Sequence, residues 1–93
     1  MDEDKELIKS IFINLFDVVS EAKYYDISSP ELLDNFRLKF LAPDGVRKEL
    51  FEDLKKLPES HRKEYGEILG HLIRLNEEKY NMGALVFKLF SSL

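Results

Sequence analysis

The chain has no cysteine, only four glycines and three prolines, and no long apolar run. Without cysteine there is no disulfide framework, no thiolate nucleophile and no cysteine-based zinc site. The glycines are scattered at positions 45, 66, 70 and 83, so they form no phosphate-binding loop. No apolar run approaches the roughly 20 residues that span a bilayer, so we expect no membrane insertion.

Length and composition are typical of one small folded domain. The chain has 93 residues, of which 44% are hydrophobic and 34% are charged, and we expect a single helical domain over residues 1–93. Its amino terminus, Met1 to Lys5, is acidic, whereas a secretory signal begins with a basic region. These features predict a cytoplasmic protein.

Apolar residues recur at steps of three and four along most of the chain, which predicts an all-α fold. No stretch alternates apolar and polar residues as a strand would. In the first helix, Ile13 and Val18 lie off the main apolar face. The residues predicted to form that face are Leu7, Ile8, Ile11, Phe12, Leu15, Phe16, Val19 and Ala22.

Turn and capping residues divide the middle of the chain. Ser29 followed by Pro30 predicts an N-cap and a first helical residue, opening a helix over residues 30–41. The sequence Ala-Pro-Asp-Gly at 42–45 is turn chemistry, in which we expect Gly45 to adopt a positive φ. A short helix is predicted from Val46 to Leu57, and Pro58 opens another.

The last helix is predicted to be long. A 3.5-residue apolar period predicts a coiled-coil-like seam, from which Lys79 departs most clearly. Asn81 to Gly83 is an alternative helix end, but we expect the helix to continue. The architecture predicted is an antiparallel helical hairpin or small bundle with a coiled-coil-like arm. The seam comprises His61, Tyr65, Ile68, Leu72, Leu75, Lys79, Met82, Val86, Leu89 and Leu93.

Residues that would support catalysis are sparse. The two histidines, His61 and His71, lie ten residues apart, and neither takes part in a zinc-protease or di-iron spacing. Glu67 and His71 are four residues apart, a pair spaced so that both side chains could bind the same metal ion. We expect no enzyme activity, no metal, no cofactor and no small-molecule substrate.

Charge is unevenly distributed along the chain, whose net charge is -4. The segment 37–63 holds eight basic and five acidic residues, a net charge of +3, while the rest holds six basic and thirteen acidic residues, a net charge of -7. The eight are Arg37, Lys39, Arg47, Lys48, Lys55, Lys56, Arg62 and Lys63. This cluster fits either phosphates or a protein partner.

The middle of the chain resembles the N-terminal tRNA-binding arm of the bacterial phenylalanyl-tRNA synthetase alpha subunit. The resemblance rests on LLDNFRLKFL at 32–41, Gly45, the Leu57-Pro58 step, PESHR at 58–62 and Gly66, and covers roughly residues 27–80. It implies an antiparallel helical arm whose bent outer part lies near 42–60. The eight basic residues would then neutralise RNA phosphates without reading sequence.

This chain also departs from the family that it resembles. Pro43 and Asp44 stand where the family usually has lysines, which removes positive charge from the turn. The class II catalytic core lies outside the resemblance, so we expect the chain not to aminoacylate tRNA by itself.

Two functions remain open from the sequence. The acidic composition and apolar ends favour a non-catalytic helical interaction or regulatory protein; the alternative is a free-standing arm-like module that binds tRNA or other structured RNA through residues 37–63. Within the chain we expect the first helix to pack beside residues 70–90. We also expect a homodimer joined through the two chain ends, or contact with another helical protein. The residues predicted for self-association are Ile13, Val18, Val86, Phe87 and Phe90.

Overall fold

The computed structural model describes the backbone of residues 2–93 and the side chains of residues 4–93. The first three side chains, part of the acidic amino terminus considered above, lie outside the described residues. The molecule measures 60 × 20 × 17 Å, and its described residues contain helices but no strand, which confirms the all-α prediction. The elements are α1 (Asp2–Tyr24), α2 (Pro30–Phe36) with a π-helical continuation (Arg37–Leu41), α3 (Val46–Lys56) and α4 (Glu59–Ser91).

The three layers of the molecule run in alternating directions. Helix α1 is parallel to α4, because the ring of Phe12 lies 5.6 Å from that of Tyr65 and Lys79 reaches the carbonyl of Ala22. Helices α2 and α3 return in the opposite direction, so that Leu33 packs near Gly83 and Leu50 near Tyr65. The hairpin predicted from the sequence is therefore present, with α1 packed along it.

The buried face of α1 differs from the predicted one. Phe16 was placed on that face but is 54% exposed, whereas Val18 was placed off it and is only 7% exposed. The residues that α1 buries are Ile11, Leu15, Val18 and Ala22, which recur at steps of four, three and four. The prediction for Val18 is wrong because the α1 stripe has the narrow spacing of a coiled-coil seam, which excludes Phe16.

Helix α2 begins as predicted. The hydroxyl of Ser29 accepts a hydrogen bond from the backbone N–H of Leu32 (3.1 Å), and Pro30 is the first helical residue. The helix ends in a wider turn, in which the N–H of Ala42 donates to the carbonyl of Arg37 at 2.9 Å, as in a π-helix.

Gly45 is required at the next turn, although for a reason that the sequence did not predict. Its φ is -83°, within the region that all residues adopt. A Cβ at this position would lie 2.4 Å from the carbonyl oxygen of Lys39 and 2.7 Å from that of Leu38. Glycine therefore allows the start of α3 to approach the end of the π-helical segment closely.

Helix α4 is continuous from Glu59 to Ser91, which confirms that Asn81 to Gly83 does not end it. The predicted seam is correct at Tyr65 and Leu72, which are buried, but is displaced by one residue elsewhere. Between them Leu69 is buried, whereas the predicted Ile68 is only partly buried. Beyond Leu72, α4 buries Asn76 and Gly83, whereas the predicted seam residues at 75, 82, 86 and 89 are exposed.

Close packing explains this shift. Gly83 lies against α2, where an added Cβ would be 2.8 Å from Leu33 Cδ1 and 3.2 Å from Ile27 Cδ1. A small residue therefore lets α2 pack against α4, and an apolar residue is not needed there. A search for hydrophobic residues passes over Asn76 and Gly83 and selects their larger neighbours instead.

Helix α1 covers less of α4 than predicted. Its contacts run from Tyr65 to Lys79, so it covers only the first part of the segment 70–90. Residues 82–93 continue beyond it, and most of their large apolar side chains are exposed. Within residues 2–93 no helix is long and apolar enough to cross a membrane.

Candidate nucleic-acid interface

The eight basic residues of the middle segment fall on three elements. Arg37 and Lys39 lie in the π-helical segment, four residues lie on α3, and Arg62 and Lys63 lie in the first turn of α4. The loop between α3 and α4 at Leu57-Pro58 forms one end of the molecule. The turn at 42–45 lies instead beside Glu77 and Tyr80. Fewer residues therefore form the outer end of the arm than the predicted range 42–60.

Two of the eight are engaged with the backbone. The guanidinium of Arg62 donates to the carbonyls of Leu57 (2.8 Å) and Lys55 (3.2 Å), and Arg47 donates to the carbonyl of Leu41 (3.1 Å). Both arginines therefore satisfy carbonyls that helix ends leave without intrahelical partners. Their first role is to hold the two turns of the hairpin.

Three more of the eight are paired with carboxylates. Arg37 donates to Asp34 at 2.9 Å, and the ammonium of Lys56 lies 3.9 Å from Asp53. Lys39 pairs with Glu21 of α1. These pairs are partly or fully solvated, so each contributes little to stability, but each reduces the positive charge available to an RNA.

The remaining three lysines carry the accessible positive charge. Among the described side chains, Lys48, Lys55 and Lys63 make none of the ion pairs or hydrogen bonds that hold the other five, and all three are exposed. Lys48 and Lys55 are seven residues apart, so they share a face of α3. Lys63 follows Arg62, whose guanidinium lies on the carbonyl of Lys55, so it lies at the same end of the molecule.

An aromatic residue missed by the sequence lies on this face. Phe51 follows Leu50 in the apolar pattern of α3, but whereas Leu50 is buried, the side chain of Phe51 is 40% exposed. It stands three residues after Lys48 and four before Lys55, so the three side chains are neighbours on α3. An accessible aromatic ring beside lysines offers a nucleobase a surface for stacking. The exposure of Phe51 was not predicted because the residue adjoins the buried Leu50 in the sequence.

The framework beneath this face is held by Tyr65. Its hydroxyl donates to the carbonyl of Leu50 at 3.1 Å, and the residue has no exposed surface. Burial, with smaller contributions from Asp53 and Glu49, raises the pKa of Tyr65 well above its ordinary value of 10.0. The hydroxyl therefore stays protonated and fixes α3 against α4.

Lys79 fixes α1 at the other end of the bundle. Its ammonium donates to the carbonyls of Ala22 (2.8 Å), Lys23 (3.0 Å) and Tyr25 (2.8 Å), and lies 5.2 Å from the centre of the Phe36 ring. Burial lowers the pKa of Lys79, an effect that the negative charge of Asp26 opposes. Lys79 therefore interrupts the apolar seam because its ammonium binds the carbonyls at the end of α1.

The other residues singled out by the sequence do not form one site. Glu67 and His71 remain an exposed pair on α4, and the described residues include no group of three or more possible metal ligands. Of the self-association residues, Val18 is buried, and Ile13 is exposed on α1. Helical rise places Ile13 roughly 25 Å along the bundle axis from Val86, so Ile13 does not join the patch at the end of α4.

Comparison with known proteins identifies the hairpin. A family model described as "Aminoacyl tRNA synthetase class II, N-terminal domain" matches residues 28–82. The phenylalanine–tRNA ligase alpha subunits of Flavobacterium johnsoniae and Flavobacterium psychrophilum are each 36% identical over 61 residues, which cover 66% of this chain and 18% of each relative. That of Christiangramia forsetii is 22% identical over 63 residues, 68% of this chain and 19% of the relative. No solved structure matches the chain.

The match extends over α2, α3 and most of α4, the elements that form the hairpin. The chain spans less than a fifth of the length of these relatives. The resemblance to the N-terminal arm of the synthetase alpha subunit is confirmed, over nearly the range expected from its sequence. This chain belongs to the family of class II aminoacyl-tRNA synthetase N-terminal domains.

Proposed function

We propose that this chain is a non-catalytic RNA-binding module that contacts the phosphate backbone of tRNA through Lys48, Lys55 and Lys63. The observation that carries the proposal is that these three lysines are exposed and make no ion pair or hydrogen bond with the side chains of residues 4–93, while the other five basic residues of the segment hold the structure or pair with carboxylates. Family membership supports tRNA as the ligand, since the curated relatives are tRNA ligases.

The contact would depend on backbone charge. Lysine presents a point charge to a phosphate oxygen and carries no information on base identity. Lys48 and Lys55 lie about 10 Å apart along α3, given a rise of 1.5 Å per residue. The two charges would therefore reach separate phosphates, with Lys63 on α4 supplying a third.

Phe51 would add a second kind of contact. Between the two lysines of α3, its ring can stack on an unpaired base, an interaction worth about 1–3 kcal/mol in single-stranded complexes. Phe51→Ala is expected to weaken binding without changing its salt dependence. The matched control is Phe16→Ala, since Phe16 is an exposed aromatic on α1.

Fluorescence anisotropy with fluorescently labelled bulk tRNA tests the proposal. Three phosphate contacts predict a slope of about -2.1 to -2.7 in log affinity against log salt, so binding should weaken roughly 20- to 40-fold between 50 and 200 mM salt. A slope near zero, or no binding at 50 mM salt, would refute phosphate recognition by these lysines.

Protein–protein interaction is a second candidate function. It is favoured by the exposed apolar side chains of α4 beyond Lys79, which lie away from the lysines. Lys63 and Phe90 are separated by about 40 Å along α4, so one chain has room for both functions. A cytoplasmic location remains a prediction under either function.

A further inference from the structure

The carboxyl-terminal part of α4 presents an apolar surface that no other described element covers. Leu85 and Val86 are 50% and 41% exposed, and Phe90 is 64% exposed. An adjoining groove of about 360 Å³ lies between this part of α4 and the loop before α2. The exposed residues of this surface, called the terminal stripe below, are Met82, Leu85, Val86, Leu89, Phe90 and Leu93.

The terminal stripe begins on α4 where the packing of α1 ends. Helix α1 packs on α4 as far as Lys79, where its carboxyl end is fixed by the three hydrogen bonds to that side chain. From Lys79 onward, residues 82, 86, 89 and 93 recur at steps of three and four, the spacing of a coiled-coil seam. An apolar stripe with seam spacing therefore runs for three further turns of α4 after α1 has ended.

We propose that the terminal stripe is covered by the same stripe of a second copy of this chain, in an antiparallel two-fold dimer. The direction follows from α1, which already occupies the parallel path alongside α4 up to Lys79. A second copy laid parallel would bring the two α1 helices together beside Lys79, whereas an antiparallel copy keeps them at opposite ends of the pair. Residues 82 and 86 of one copy then lie opposite 93 and 89 of the other, which is the self-complementary contact that a two-fold axis requires.

The area available suits a weak dimer. A half-exposed large side chain presents on the order of 100 Å², so the six residues give about 600 Å² per copy. The pair would bury about 1,200 Å², at the lower limit for specific interfaces. Single copies would therefore predominate on dilution, whereas the dimer would form at higher concentration.

Charge does not oppose this pairing. Lys88 is the one charged residue between positions 80 and 93, and it lies outside the run of residues 82, 86, 89 and 93. The antiparallel arrangement also keeps the two acidic bundles, each of net charge -4, at opposite ends. The two bundles are then separated by well over the Debye length of about 10 Å, so the repulsion between them is largely screened.

Sedimentation equilibrium of the 93-residue chain tests the dimer. At about 100 µM the mass is expected to approach twice 10.9 kDa, and mass action should return it toward 10.9 kDa on dilution. The double variant Val86→Glu/Leu89→Glu should remain monomeric at the same concentration, with an unchanged circular dichroism spectrum.

The control is Ile13→Glu/Phe16→Glu, which adds the same charge to two exposed apolar residues of α1. This variant should associate like the original chain. A monomer at about 100 µM would overturn the proposal, as would a dimer that survives the change at 86 and 89 or is lost with the change at 13 and 16. The association should not weaken with salt, because it rests on apolar burial, so its outcome is independent of the RNA test.

Discussion

Lys79 of α4 donates a hydrogen bond of 2.8 Å to the carbonyl of Ala22, a residue 57 positions earlier in the chain. Helix α1 ends two residues later, at Tyr24, and the same ammonium also reaches the carbonyls of Lys23 and Tyr25. A cation at a helix C-terminus satisfies carbonyls that have no intrahelical partner and opposes the negative end of the helix dipole. This contact positions α1 along the hairpin.

Replacing Lys79 with Met should therefore loosen α1. The substitution keeps the apolar stem but removes the charged donor, and hydrogen bonds to charged groups contribute about 1.5–3 kcal/mol. We expect the free energy of unfolding, measured in urea, to fall by that amount. Lys88→Met is the control, since Lys88 is exposed near the end of α4. Equal, small losses in both variants would show that the Lys79 contact contributes nothing.

Gly45→Ala should destabilise the protein through a backbone clash. The new methyl would lie 2.4 Å from the carbonyl oxygen of Lys39, and overpacking of this kind costs about 1–3 kcal/mol. Gly66→Ala is the matched control, because a Cβ there meets no atom within 4 Å. That change should raise stability by about 0.4–1 kcal/mol. If both substitutions are stabilising, the close approach at Gly45 is not present in solution.

Stability should fall in alkaline solution because of Tyr65. Its pKa is raised in the folded protein, so above pH 10 the unfolded chain loses the tyrosyl proton while the folded chain keeps it. The unfolded state then binds fewer protons, and the free energy of unfolding decreases by up to about 1.4 kcal/mol per pH unit. The stability that protonated Tyr65 contributes is fully present below pH 10 and is lost as the pH rises above it.

The variant Tyr65→Phe isolates this effect from the titration of lysines. It should cost about 0.5–1.5 kcal/mol at neutral pH, through loss of the hydrogen bond to Leu50, yet its stability should decline less steeply above pH 10. Chemical denaturation at several pH values between 8 and 11 measures both. Parallel declines in the two proteins would mean that Tyr65 ionises as readily in the folded state as in the unfolded one.

The corrected seam of α4 is tested by two leucines three residues apart. Leu72 is 5% exposed and Leu75 is 58% exposed. Leu72→Ala should therefore cost about 2–5 kcal/mol, as for a buried leucine, and Leu75→Ala less than about 0.5 kcal/mol, as for a surface site. Losses of about 2–5 kcal/mol at both positions, measured by urea denaturation, would restore the seam predicted from the apolar pattern, which contains both leucines.

Local signals predicted much of this fold from the sequence. The cap at Ser29, the proline that opens α2 and the continuity of α4 were all correct, because each depends on neighbouring residues. The burial of Asn76 and Gly83 could not be predicted from neighbouring residues. Which face of a two-sided helix is buried depends on residues distant in sequence, here Ile27 and Leu33.

The candidate site was predicted only in outline. Counting charge located the basic segment but treated all eight residues alike. Arg47 and Arg62 bind carbonyls five to seven residues away along the chain, and Lys39 pairs with Glu21 of a different helix. Separating these from Lys48, Lys55 and Lys63 requires the turn geometry and the packing of α1, neither of which a charge count contains.

The proposed function requires that three particular lysines, and not charge in general, bind tRNA. The most direct test compares the tRNA affinities of two variants of equal net charge at low salt. One is Lys48→Glu/Lys55→Glu/Lys63→Glu, and the other is Lys23→Glu/Arg74→Glu/Lys88→Glu, in which the three exposed residues lie away from the loop between α3 and α4. The first should lose binding while keeping its helicity, and the second should bind within a few-fold of the original chain. Equal losses in both variants, or undiminished binding by the first, would contradict the account.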